Sequence, residues 1–116
     1  MKNVRLKRAY EHPARDDGTR ILVDRLWPRG LKKAEASIDQ WAKELAPSTE
    51  LRKWFGHDPN RWPEFRQRYR GELRAGHDQL EHLRTLARSG AITLVYAARD
   101  EEHNDAVVLR EVILGH

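Results

Sequence analysis

The sequence predicts an α/β protein: a small single domain, spanning residues 1–116, with a short, largely parallel sheet flanked by helices. Two apolar runs, Ile21-Leu22-Val23 and Ile92 to Ala97, stand far apart in the chain, and continuous runs of this kind suit strands covered on both faces. Segments of helical period, punctuated by proline and glycine, lie between them. Strands separated by helices need crossover connections, which produce parallel pairing. A chain of 116 residues is also the size of one domain with its own core.

The elements follow in order. Val4-Arg5-Leu6-Lys7 alternates apolar and charged residues, as a half-exposed strand does. Glu11 to Gly18, with Pro13, two aspartates and Gly18, has the composition of a loop, and Ile21-Leu22-Val23 is the next strand. Ser37 is a good N-cap and predicts a helix carrying Ile38, Trp41, Ala42 and Leu45 on one stripe, ended by Pro47. Ser48 predicts the cap of a second short helix through Leu51, Trp54 and Phe55, stopped by Gly56.

Asp58-Pro59 resembles another helix start, but Pro63 is tolerated only where its missing N–H would be unpaired anyway. The cap is therefore expected at Asn60 or nearby, with Trp62, Phe65, Tyr69 and Leu73 on one face and Leu80, Leu83 and Ala87 continuing the phase. A single helix over 60–88 would run roughly 43 Å at about 1.5 Å per residue. That is too long for a compact domain of this size, so a break is expected near Gly76-His77-Asp78, with Gly90 ending the second piece. Ile92 to Ala97 is the clearest strand. Asp100 is expected to cap a final helix whose Ala106, Leu109 and Ile113 face the core, with His103 about one turn in, near Arg99.

Composition bounds the function. Hydrophobic residues make up 39% and charged residues 34%, polar for a globular protein but not the signature of disorder. Apolar runs of four or five residues are too short to span a bilayer, and the charged start Met1-Lys2-Asn3-Val4-Arg5-Leu6-Lys7 shows no signal peptide. With no cysteine, disulfides, thiol nucleophiles and thiolate metal sites are all absent, so a soluble cytoplasmic protein is expected. Residues 1–34 hold ten Lys/Arg against four Asp/Glu, a balance of +6, and the remainder twelve against fourteen, −2, together the net +4. A basic first third can face phosphate, nucleic acid or an acidic metabolite, or merely solvate exposed surface.

The chemistry concentrates where apolar runs end in charge. In Leu22-Val23-Asp24-Arg25-Leu26-Trp27-Pro28-Arg29-Gly30, Asp24 is a candidate base and Arg25 and Arg29 a forked anion clamp, with Trp27 beside them. A buried ion pair pinning the loop accounts for the same residues, because charge at a buried strand end is expensive unless paired. Arg99-Asp100-Glu101-Glu102-His103-Asn104 follows the last strand, where a helix start offers free N–H groups to an anion. Arg99 and Asn104 are candidate ligand contacts there and His103 a candidate acid-base group. In Trp54-Phe55-Gly56-His57-Asp58-Pro59, His57 is a third catalytic candidate, or Asp58 is simply a cap and the aromatics core. His57, His103, Asp24 and Glu102 match no metal-ligand spacing, so no metal site is expected. No nucleotide-binding, hydrolase or zinc motif is present, and the cofactor stays open.

The motifs from Leu22 to Gly30, Leu45-Ala46-Pro47-Ser48, Leu51 to Pro59 and Tyr96 to Asn104 resemble the YeaO-like bacterial family, domain of unknown function 488, over nearly the whole chain. The resemblance implies a small cytoplasmic α/β protein. Some members of that family are labelled transcriptional regulators, yet no helix-turn-helix pattern is evident here. The chain departs from the family pattern at Asp105, where a second histidine is usual after His103-Asn104, and at Pro63, where an acidic helix former is usual. A related branch places cysteine near the last strand; Tyr96 stands there in this chain, so thiol chemistry does not carry over.

These readings lead to an anionic small molecule bound at the strand ends, held by Arg25, Arg29 and Arg99, with Asp24 and His103 handling protons if the protein is an enzyme. The alternative is nucleic-acid binding through the basic first third with Arg66, Arg70 and Arg74. A third is a protein-interaction surface around Trp41, Trp54 and Trp62. Oligomeric state is not readable from the sequence.

Overall fold

The last strand in sequence is the most enclosed in space. In the computed structural model of the chain, residues 3–115 are described; Met1, Lys2 and His116 lie outside them, with the sequence readings that touch them. Val4–Arg8 (β1), Thr19–Leu22 (β2), Gln40–Trp41 (β3) and Ile92–Tyr96 (β4) form one sheet in the order β1-β4-β2-β3. All of its pairings are parallel, with Leu6 opposite Leu94 and Ile21 opposite Leu94 on the two sides of β4. Every residue of β4 is buried, which is why its sequence is an unbroken apolar run rather than an alternating one.

Around the sheet lie Lys33–Ala36 (α1), Thr49–Phe55 (α2), Trp62–Leu73 (α3), His77–Ser89 (α4) and Asp105–Leu114 (α5). The expected flanking is lopsided. Val4, Ile21, Val23, Ile92, Leu94 and Tyr96 face α3, α4 and α5 and form the main core with Phe65, Tyr69, Leu83, Leu109 and Ile113. The opposite face carries a smaller cluster, in which Ala9, Leu22 and Val95 pack against Trp27, Leu31 and Ile38. Toward the amino ends of the strands that face is polar. There Arg20, 3% exposed, joins Asp17 at 2.6 Å and gives its other donors to the Ala36 carbonyl.

Ser48 and Gly56 bound α2 as expected: the Ser48 side chain accepts from the Leu51 N–H, and Gly56 turns into the left-handed region at φ 54°. Pro63 sits in the first turn of α3, preceded by a 3-10 turn at Pro59–Arg61 that Asp58 caps, so Arg61 rather than Asn60 occupies the cap position. The long helical pattern breaks at a 3-10 turn, Arg74–Gly76, and Gly90 closes α4.

Two expectations fail. Ser37 does not open a helix; it ends α1 in the left-handed region, φ 50°, and the next residues become β3. The reason is the open edge of β2. Asp39 and Ala42 give their N–H groups to the Arg20 and Leu22 carbonyls, and the Asp39 carboxylate accepts the Arg20 N–H at 2.8 Å. Those donors cannot also close helical turns. Nor does Asp100 cap the last helix. Asn104 does, accepting from the Val107 N–H at 3.1 Å, while Asp100 takes the N–H groups of Glu102 and His103 in the loop before it. His103 therefore lies outside the helix.

Candidate functional site

The connection from β2 leaves toward the smaller cluster and the connection from β4 toward the main core, although the two strands are neighbours. Adjacent strands whose connections part to opposite faces leave a crevice at their carboxyl ends. A cavity of about 600 Å³ opens there, in the range of small-molecule sites. The loop after β2 supplies Asp24, Arg25, Leu26, Trp27, Pro28 and Arg29; the loop after β4 supplies Ala97, Ala98, Arg99, Asp100 and Asn104, and the first residue of α5 supplies Asp105. Tyr10 follows β1, and Pro47, Arg52, Phe55, His57 and Phe65 complete the wall.

Two carboxyls meet in this cavity. The Asp24 carboxylate accepts the Ala97 N–H at 2.9 Å and shares a hydrogen bond with the Asp105 side chain. One carboxyl can donate to another only if a proton stays between them. Burial pushes the Asp24 carboxyl up, against the Asp105 and Ala97 hydrogen bonds and the charges of Arg52 and His57. Burial, and then the Asp24 charge, hold Asp105 well above the ordinary carboxylate range. The pair thus keeps a proton to higher pH than separate aspartates would. Tyr69, fully buried in α3, donates its hydroxyl to the Leu45 carbonyl at 2.5 Å, and burial with the nearby Asp105 and Asp24 charges raises it well above its usual value.

Four arginines line the same cavity. Arg25 is half-buried and gives Nε to the Pro47 carbonyl at 3.2 Å and Nη2 to the Ala46 carbonyl at 3.4 Å, so it braces the loop as well as facing the cavity. Arg52 acts on Asp24 through its charge. Arg29 and Arg99 are exposed at the rim. The loop after β2 is fastened at three points: Trp41 Nε1 donates to the Asp24 carbonyl at 2.7 Å, Trp27 Nε1 to the Leu31 carbonyl at 2.6 Å, and the Tyr10 hydroxyl to the Arg29 carbonyl at 3.0 Å. The arrangement offers forked donors at its rim and a pair of raised carboxyls on its wall.

The sequence candidates thus divide. Asp24, Arg25, Trp27, Arg29, His57, Arg99 and Asn104 all reach this cavity. His57 does so from a left-handed backbone, φ 58°, just past α2. Asn104 is 2% exposed and mainly a cap, its Nδ2 donating to the Asp100 carbonyl at 2.9 Å. His103 is not on the cavity wall; it hydrogen-bonds Asp100 at 2.9 Å and stands edge-on to Trp62 at 5.2 Å. That hydrogen bond, with the Glu102 and His103 N–H groups, keeps the Asp100 carboxyl low.

Sequence reasoning passed over Arg52, Phe55 and Phe65 as wall residues, and noticed Asp105 only as a departure from a family pattern. Its signal was its place directly after the asparagine cap that follows a strand end. Among the described residues no group of His, Asp and Glu is arranged to hold a metal, and no helix is long and apolar enough to cross a membrane. Of the proposed nucleic-acid contacts, Arg66 and Arg70 both reach Glu111, at 2.8 and 3.5 Å, and Arg74 is exposed. The tryptophans form no continuous patch: Trp54 and Trp62 pack against the main core, and Trp41 is 36% exposed.

Fold and crevice together define a small α/β protein with an all-parallel sheet and a ligand-sized cavity at its carboxyl edge. The chain belongs to the YeaO-like DUF488 family: residues 3–116 match the model described as the inactive DUF488-N3 subclade. It is 42% identical to the uncharacterized protein YeaO of Escherichia coli strain K12, covering 94% of this chain and 95% of that one. It is 43% identical to an uncharacterized protein of Mycobacterium bovis and to one of Mycobacterium tuberculosis H37Rv, covering 97% of this chain and 94% of each of those. No solved structure gives a significant match.

Proposed function

We propose that this protein binds an anionic small molecule in the crevice at the carboxyl ends of β2 and β4. The observation that carries the reading is the convergence of Arg25, Arg29, Arg52 and Arg99 on one cavity with Trp27, Phe55 and Phe65. Guanidinium groups hold carboxylate or phosphate through paired N–H donors, and a water-poor aromatic wall strengthens that attraction. Asp24, with Asp105 in the place proposed for His103, is the proton-handling group if chemistry occurs. The word "inactive" in the description of the matched subclade supports a binding role over a catalytic one. Nucleic-acid binding is the weaker reading, since Arg66 and Arg70 are engaged with Glu111.

The test is thermal stability of the purified protein against phosphorylated and carboxylated metabolites. A ligand at one hundred times its dissociation constant stabilises by about 2.7 kcal/mol, a shift of several degrees. Arg99→Ala, at an exposed position, should remove the shift while leaving the unliganded melting temperature unchanged. A ligand whose shift survives in both Arg99→Ala and Arg29→Ala would place its anion elsewhere.

A further inference from the structure

The floor of this cavity is ill suited to an anion. Two carboxyls with a proton between them still carry a negative charge, and an anion filling the whole cavity would lie against them. A cationic head would not. An ammonium group brings three N–H donors where the shared proton supplies one, and it compensates the second charge that appears when that proton leaves. The other titratable groups around the pair act on it by charge or spend their hydrogen bonds elsewhere. Arg52 and His57, from α2 and the turn after it, act on Asp24 by charge, whereas its hydrogen bonds come from Asp105 and the Ala97 N–H. Tyr69 of α3 spends its hydroxyl on Leu45, and Arg25 of the β2 loop donates to Pro47 and Ala46.

We infer that the cavity takes an aromatic zwitterion, with its ammonium group between the carboxyls of Asp24 and Asp105, its ring beside Phe55 and Phe65, and its carboxylate or phosphate at Arg29 and Arg99. The inference rests on the anion-site reading for the rim and adds the opposite charge at the floor. No covalent bond changes on binding. The proton held between the carboxyls passes to solvent, and the ammonium donates in its place.

Calorimetric titration of the full chain tests this with L-tryptophan, indole-3-propionate, which lacks the amine, and tryptamine, which lacks the carboxylate. Titrations run at mildly acidic pH in two buffers of different ionisation enthalpy. L-Tryptophan should bind about tenfold tighter than either analogue and release about one proton per ligand. Asp105→Asn, which keeps a hydrogen-bonding side chain against Asp24, should lose that preference and the proton release but still bind indole-3-propionate; Asp24→Asn should behave alike if Asp105→Asn folds poorly. Equal affinity for tryptophan and indole-3-propionate, or tryptophan binding without proton release, overturns the zwitterion and leaves the anion site standing. Failure of all three probes also overturns it, and the metabolite panel then decides the anion site separately.

Discussion

Asp105, in the first turn of α5, meets Asp24, in the loop after β2, carboxyl to carboxyl. Both titrate higher in the folded chain than they would unfolded, so the folded state holds protons more tightly and stability falls as pH rises past the ordinary carboxylate value of about 4. Asp105→Asn removes the larger part of that dependence, since Asp105 is the more strongly raised of the two and burial alone raises Asp24. At neutral pH the variant should be more stable than the parent by about 1 kcal/mol, seen as a melting temperature a few degrees higher. The difference should vanish as pH falls through about 4. A variant less stable than the parent at neutral pH would contradict the shared proton.

Asp17 has the opposite sign. Burial pushes its carboxyl up, but the Ala14 N–H, Lys7 and Arg20 together outweigh burial and hold it below the usual range. Its contribution is present above the unfolded carboxylate value and is lost as pH falls through the lowered one. Asp17→Asn leaves Arg20, itself 3% exposed, without its charge partner. Breaking a buried pair from one side costs about 3–5 kcal/mol. Urea denaturation should show a loss of that order at neutral pH, shrinking in acid.

The two aspartate and asparagine positions before α5 separate cap from loop. Asn104→Ala deletes the side chain that accepts the Val107 N–H and should cost about 1–2 kcal/mol. Asp100→Ala leaves that cap in place and should cost less, with the larger change at the His103 ring. Equal losses on chemical denaturation would return the cap to Asp100.

Glycine substitutions distinguish crowding from conformation. A Cβ on Gly18, at φ +66°, would lie 2.0 Å from the Ala91 carbonyl oxygen, which the sheet holds in place. Gly30, at φ +78°, has nothing within 4 Å. Gly30→Ala should therefore cost only the left-handed backbone, about 1–2 kcal/mol, whereas Gly18→Ala should lower stability further or prevent folding. Comparable melting temperatures for the two would contradict the close approach.

Much of the fold was legible because its signals are local. Ser48 and Gly56 mark α2 by satisfying the groups a helix leaves unpaired at its ends, and Pro63 sets the start of α3 by lacking a donor. The break before α4 followed from length alone. The segment from Ser37 to Leu45 was misread because its helical stripe is real in sequence, while the edge of β2 that claims its N–H groups is brought there only by folding. Asp100 and Asn104 are both good caps; which one serves depended on where the loop after β4 lets α5 settle on the core.

The sequence by itself determined the parallel α/β class, the strand-end position of the crevice and seven of the residues that line it. Apolar runs, crossover spacing and charge at the ends of runs are properties of neighbours in the chain. The tertiary structure alone decided that Asp24 would face Asp105, that Arg52 would stand by Asp24 and that His103 would turn to Trp62. Each of these depends on elements distant in sequence arriving at one place. The raised carboxyls follow from that arrival, because packing buries both and sets the Asp24 charge beside Asp105.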